Sequence, residues 1–216
     1  MKRFILILAL IFTICGGSMY AQHIRVACVG NSITYGYGIP DREHKCYPVD
    51  LGKMLGDKYE VENFGNSGRT LLMKGDLPYM KEQTFKDALA FKPEIVVIKL
   101  GTNDTKPQNW IHHEDFEKDM ITLIDSFKTL PTKPRIILCT PIAVYHMQWG
   151  INDSIVFHGV MPYVKAVAKK EHVEYLDLYP ILKGKKDDYI KDGVHPNAEG
   201  ALVIAQRVYK KIKDGK

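Results

Sequence analysis

Ser32 stands near the start of this 216-residue chain and His195 near its end, with Asp192 three residues before the histidine. A serine hydroxyl is a weak nucleophile until a base takes its proton, and a neutral imidazole does that at pH 7. The imidazole in turn needs a carboxylate to hold its tautomer and to stabilise the imidazolium, and Asp192 lies in the same turn. An attacked carbonyl also needs donors for its developing oxyanion. The backbone N–H groups of Ser32 and Gly68 and the side-chain amide of Asn103 are candidates for that role, Gly68 because a Cβ there would hinder close backbone approach. Together these residue types are equipped for acyl transfer.

Distant residues need a scaffold that gathers them. Short β-branched runs at 24–29, 59–64, 95–100, 135–139 and 173–178 alternate with amphipathic stretches at 48–55, 79–90, 113–130, 157–170 and 198–212. In the third stretch Phe116, Met120, Leu123, Ile124 and Phe127 recur at helical spacing and give one apolar face. Asn197 is placed to cap the last helix. Strand and helix in alternation predict an α/β domain, a parallel sheet covered on both faces. Such sheets place their sites beyond the carboxyl ends of the strands. The polar clusters fall at those ends: Gly30-Asn31-Ser32-Ile33-Thr34, then Gly65-Asn66-Ser67-Gly68-Arg69-Thr70, then Gly101-Thr102-Asn103-Asp104. Asp192-Gly193-Val194-His195-Pro196 precedes the last helix.

In these four blocks, in this order, the sequence resembles the SGNH hydrolases, or GDSL-type esterases, over essentially the whole chain from residue 22 onwards. The resemblance implies a flavodoxin-like three-layer α/β/α fold with a five-stranded parallel sheet in the order 2-1-3-4-5. It implies Ser32 as nucleophile, His195 as base, Asp192 as the orienting acid, and Ser32, Gly68 and Asn103 as the oxyanion hole. Asn31 departs from the usual Asp before the serine; the amide keeps the shape and removes a charge. The wording GNSITYG, NFGNSG and KLGTNDTK is most similar to the carbohydrate O-acetylesterase branch, which includes sialate esterase-like proteins. The implied substrate is therefore a small-molecule or glycan ester, most simply an O-acetyl group on a sugar. A lipase, thioesterase or arylesterase of the same family, or a non-catalytic glycan-binding module, are the alternatives. No cofactor is implied, and no CxxC or His-x-x-x-His spacing argues for a metal.

Around this core, Tyr35, Arg69 and Trp149 are candidate substrate contacts, with Tyr37 beside Tyr35 and Trp110 as a weaker aromatic candidate. His112 to Asp115 reads as a helix start rather than a metal site, because adjacent helical residues point in different directions. Asp41 to Lys45 and Lys183 to Asp188 read as solvated loops, and Asp104 as a structural support of its loop. Lys99, inside an apolar strand, has no account at this level. If His195 is the base, activity should rise with pH through about 6.5 to 7.

Composition is that of an ordinary globular chain: 45% apolar, 25% charged, with a formal charge of +5. So small an excess does not describe a nucleic-acid binder. Lys2 and Arg3 followed by the apolar run Phe4 to Ile14, broken only by Thr13, read as a signal peptide over residues 1–21. Residues 22–216 then form a single exported domain, periplasmic or extracellular, with no membrane span after cleavage. Lipidation at Cys15 is the less favoured reading, because Ile14 is bulky where a small residue is wanted. Cys28, Cys46 and Cys139 are too few and too scattered for a disulfide framework.

Overall fold

The computed structural model of the protein describes residues 23–215. The expected leader, residues 1–21, and Cys15 lie outside them. Five strands, β1 (Ile24–Gly30), β2 (Tyr59–Gly65), β3 (Ile95–Lys99), β4 (Arg135–Cys139) and β5 (Glu174–Leu176), form one sheet in the order β2-β1-β3-β4-β5. Every neighbouring pair is parallel. Alternate residues feed opposite layers, as the twofold repeat of a strand requires. Val26, Cys28, Val97 and Ile137 pack against α1 (Tyr47–Leu55) and α5 (Ala198–Asp214). Ala27, Val29, Val96 and Ile98 pack against α2 (Gln83–Ala90), α3 (Phe116–Lys128) and α4 (Met161–Lys170). Each buried Leu, Ile or Phe of these layers contributes about 1.5–3 kcal/mol, and this burial on both faces explains why the strands are apolar throughout.

Several element ends differ from the sequence expectation. Tyr79–Lys81 and His113–Asp115 are 3-10 turns that lead into α2 and α3, so each regular helix starts later. The stretch expected as one helix over 157–170 begins earlier, at Asp153, and passes through a π-helical turn, Val156–Val160, before α4. Gly159 in that turn lies against Trp110; a Cβ there would stand 2.4 Å from the indole Cζ2. The expected loop at 41–45 contains a one-turn helix, Arg42–Lys45. Arg42 anchors it by donating to the Tyr35 carbonyl (3.3 Å) and by lying 4.1 Å from the centre of the Tyr35 ring. Asn197 does cap α5, its Oδ1 accepting the Gly200 N–H.

Strand order reverses between β1 and β3: the chain leaves β1 for β2 on one side and returns to β3 on the other. The helices that follow those two strands diverge to opposite faces, which opens a crevice at their carboxyl ends. Ser32 follows β1 and Asn103 follows β3.

Candidate active site

Ser32 begins a single helical turn, Ser32–Tyr35, immediately after β1. Asn31 starts the turn: its Oδ1 accepts the Ile33 N–H at 3.1 Å, which satisfies one of the donors a helix start leaves free. Gly36, at φ 90°, ends it. Gly65 must be a glycine for this turn to sit where it does, since a Cβ there would lie 2.2 Å from the Tyr35 nitrogen.

The segment before α5 brings the imidazole to this serine. His195 Nε2 lies 2.7 Å from Ser32 Oγ, and His195 Nδ1 lies 2.7 Å from Asp192 Oδ2. The other carboxylate oxygen of Asp192 accepts the backbone N–H groups of Val194 (2.8 Å) and His195 (2.9 Å), so the acid is held by the loop it orients. An ionised Asp192 accepts from Nδ1–H, and that tautomer leaves Nε2 to accept the serine proton. His195 is only 4% exposed. Burial, the largest influence, lowers its pKa below the usual 6.5, against the upward pull of Asp192; Lys99 adds a further push downwards. The sequence expectation of a midpoint at about 6.5 to 7 is thus moved to the acid side, because desolvation outweighs the carboxylate.

Gly68 and Asn103 come from the loops after β2 and β3. Gly68 has φ +83°, a region open to glycine at little strain. Asn103 Nδ2 donates one hydrogen to the Arg69 carbonyl at 3.0 Å, and an amide carries a second. Asp104 stitches the two loops together. Its oxygens accept the backbone N–H groups of Leu71 (3.1 Å) and Leu72 (2.8 Å) in a fully buried setting, and burial pushes its pKa up to about 6. Asn109 adds a bond from its Nδ2 to the Asn103 carbonyl at 2.9 Å.

Ser32, His195, Gly68 and Asn103 line a pocket of about 270 Å³, with Tyr37, Trp149, Lys106 and Ile151 as further walls. The Tyr37 ring lies 4.6 Å from that of His195 and the Trp149 ring 5.7 Å. Trp149 is 54% exposed and holds a left-handed φ of 54°. Among the candidate substrate contacts, Trp149 reaches the pocket; Tyr35 and Arg69 do not line it. Tyr35 lies under the Arg42 guanidinium, and Gly36 reverses the chain so that Tyr37 returns over the imidazole. Arg69 turns to Glu82 (3.2 Å) and donates to the Ser67 carbonyl (2.7 Å). Trp110 stacks on His113 in a separate groove. Tyr37, named beside Tyr35 in the sequence, lines the pocket, whereas Lys106 and Ile151 carried no sequence signal. Among the described residues no cluster of three or more His, Cys, Asp or Glu is placed to hold a metal ion, and no helix is long and apolar enough to cross a membrane.

Fold and site describe a three-layer α/β protein with a serine, an imidazole and hydrogen-bond donors gathered at the switch point of its sheet. The chain belongs to the GDSL-like Lipase/Acylhydrolase family, which it matches over residues 28–203. It is 43% identical over 207 residues to an acetylxylan esterase of Xylanibacter ruminicola, an alignment covering 88% of this chain and 43% of that protein. The chain thus spans less than half of that relative. Among solved structures it is similar to a carbohydrate acetylesterase from Sinorhizobium meliloti, with TM-score 0.70, 22% identity, and coverage of 89% of this chain and 99% of that one. A lipase/acylhydrolase from Enterococcus faecalis gives TM-score 0.72 at 22% identity, covering 88% and 96%. These likenesses show the fold.

Proposed function

We propose that the protein is an exported carboxylic-ester hydrolase that removes acetyl groups from carbohydrate hydroxyls through an acyl-enzyme. The observation that supports this most is the unbroken chain from Asp192 to His195 to Ser32, with both contacts at 2.7 Å. In this reading Ser32 Oγ attacks the acetyl carbonyl while His195 Nε2 takes its proton. The Ser32 and Gly68 N–H groups and the remaining Asn103 amide hydrogen receive the oxyanion. His195 then protonates the departing sugar oxygen, and a water that gives its proton to the same nitrogen releases acetate. Family membership supports the reaction class. The 43% identity to an acetylxylan esterase makes acetylated xylan the first polymer to test. Export rests on the reading of residues 1–21.

The likeness to an acetylxylan esterase supports a short acyl group. The cations near the pocket support a neutral sugar over sialic acid. A sialate carboxylate would want a free cation, but Lys106 lies 3.6 Å from Asp76 and Arg69 is engaged by Glu82.

The test is acetate release from acetylated xylan and a panel of O-acetylated sugars, with p-nitrophenyl octanoate as the long-chain control, by wild type and Ser32→Ala. We expect release from neutral sugar esters, weak octanoyl cleavage, and a loss of on the order of a thousandfold or more in the variant. A variant that turns over near the wild-type rate removes Ser32 from the mechanism.

A further inference from the structure

Lys99 is the last residue of β3 and is 1% exposed. It continues the side of the strand that carries Ile95 and Val97, and so points into the layer shared with Cys28, Cys139 and Tyr47. Buried lysines normally find a carboxylate; this one makes no salt bridge among the described residues, and its Nζ lies 3.4 Å from Asn31 Oδ1. β1 and β3 pair Gly30 with Lys99, which sets the amine beside the turn that starts at Asn31. Asn31 Oδ1 is already committed to the Ile33 N–H, so the orientation of the amide is determined, and Asn31 Nδ2 is buried without a partner among the described residues. The same oxygen therefore receives both the Ile33 N–H of the Ser32 turn and the lysine amine.

We propose that Lys99 is a positioning residue of this site: its buried amine clamps the Asn31 oxygen that caps the Ser32 turn, and its charge biases the Ser32–His195 pair from behind. The proposal rests on the reading of Ser32 and His195 given above. The clamp restrains the direction of the Ser32 N–H and Oγ, both of which face the reacting carbonyl. The charge acts on His195, whose proton affinity falls beside a cation.

Burial lowers the amine to about 7, so the two actions separate with pH. Below that value Lys99 is an ammonium and keeps His195 free of its proton further into acid. Above it the amine is neutral and only the clamp remains. Cys139, Cys28 and Tyr47, which share its layer, do not answer the charge. Burial holds the Cys139 thiol of β4 up at about 12, and it raises Cys28 of β1 and Tyr47 of α1 well above their ordinary values.

Lys99→Met keeps the length and removes the amine; Lys99→Gln is the second variant should the first fold poorly. Two readouts are taken on each: the His195 imidazole midpoint by side-chain 1H–15N NMR, and the kcat and KM profile on p-nitrophenyl acetate from pH 4.5 to 9. We expect the His195 midpoint and the acid limb to move to higher pH by about half a unit or more. At pH 8 we expect kcat to fall severalfold with KM within about twofold. An unchanged midpoint together with an unchanged kcat at pH 8 overturns the proposal, and a change in kcat with a stationary midpoint overturns its electrostatic half. Ser32→Ala run alongside keeps the two readings apart. If that variant stays active the nucleophile assignment fails, whereas the NMR titration still reports whether Lys99 acts on the imidazole.

Discussion

Replacing Lys99 with Met is also expected to make the protein more stable, by an amount the structure allows to be worked out. The amine titrates at about 7 in the fold and at 10.5 when ordinarily solvated. Its folded pKa is the lower one, so the unfolded chain binds more protons between these values, and stability rises with pH across that window. Relative to a neutral side chain, the destabilisation is then about 4 kcal/mol at pH 7 and about 1 kcal/mol at pH 10. Methionine fills nearly the same space, and Asn31 Oδ1 keeps its bond to the Ile33 N–H, so no new unpaired acceptor offsets the gain. With a factor of two for relaxation around the amine, Lys99→Met should exceed wild type by about 2–4 kcal/mol at pH 7. In urea that is a shift in midpoint of about 1 M or more, readable by tryptophan fluorescence. Cys28 and Cys139, whose pKa values burial raises, reduce stability as pH climbs through the ordinary thiol range, but they do so in both proteins. The variant-minus-wild-type difference therefore isolates Lys99, and it should close to about 1 kcal/mol at pH 10. A variant no more stable than wild type at pH 7, or an advantage that does not shrink with pH, would show that the buried amine is not the cost assigned to it.

Because burial lowers His195, kcat/KM should climb through a midpoint below about 6.5 and stay level above it; a midpoint above 7 contradicts the desolvated base. Trp149→Ala should raise KM on glycan esters about fivefold, the equivalent of one lost aromatic contact of about 1 kcal/mol, and leave p-nitrophenyl acetate turnover within about twofold. Equal effects on both substrates would remove the indole from sugar recognition. Asp104→Ala strips the acceptors of two buried backbone donors, Leu71 and Leu72, and should lower stability by about 2–4 kcal/mol in thermal or urea unfolding. A loss under 1 kcal/mol would mean those donors find other partners.

The sheet, its two helical layers and the four polar clusters were legible in the sequence because each depends on local repetition. A strand alternates every second residue and a helix every third or fourth, and chemistry placed at strand ends is gathered by the sheet whatever the loops do. Asp192, three residues from His195, is likewise a local relation, and so is Asn197 at the start of α5. What only the tertiary structure decided depends on competition between distant groups. Tyr37 rather than Tyr35 faces the imidazole because Gly36 turns the chain and Arg42, from another segment, takes the Tyr35 ring. Arg69 leaves the pocket because Glu82 is within reach. The proton affinities of His195 and Lys99 are set by how completely the surrounding layers exclude water, and desolvation is a property of the packed whole that no stretch of sequence states.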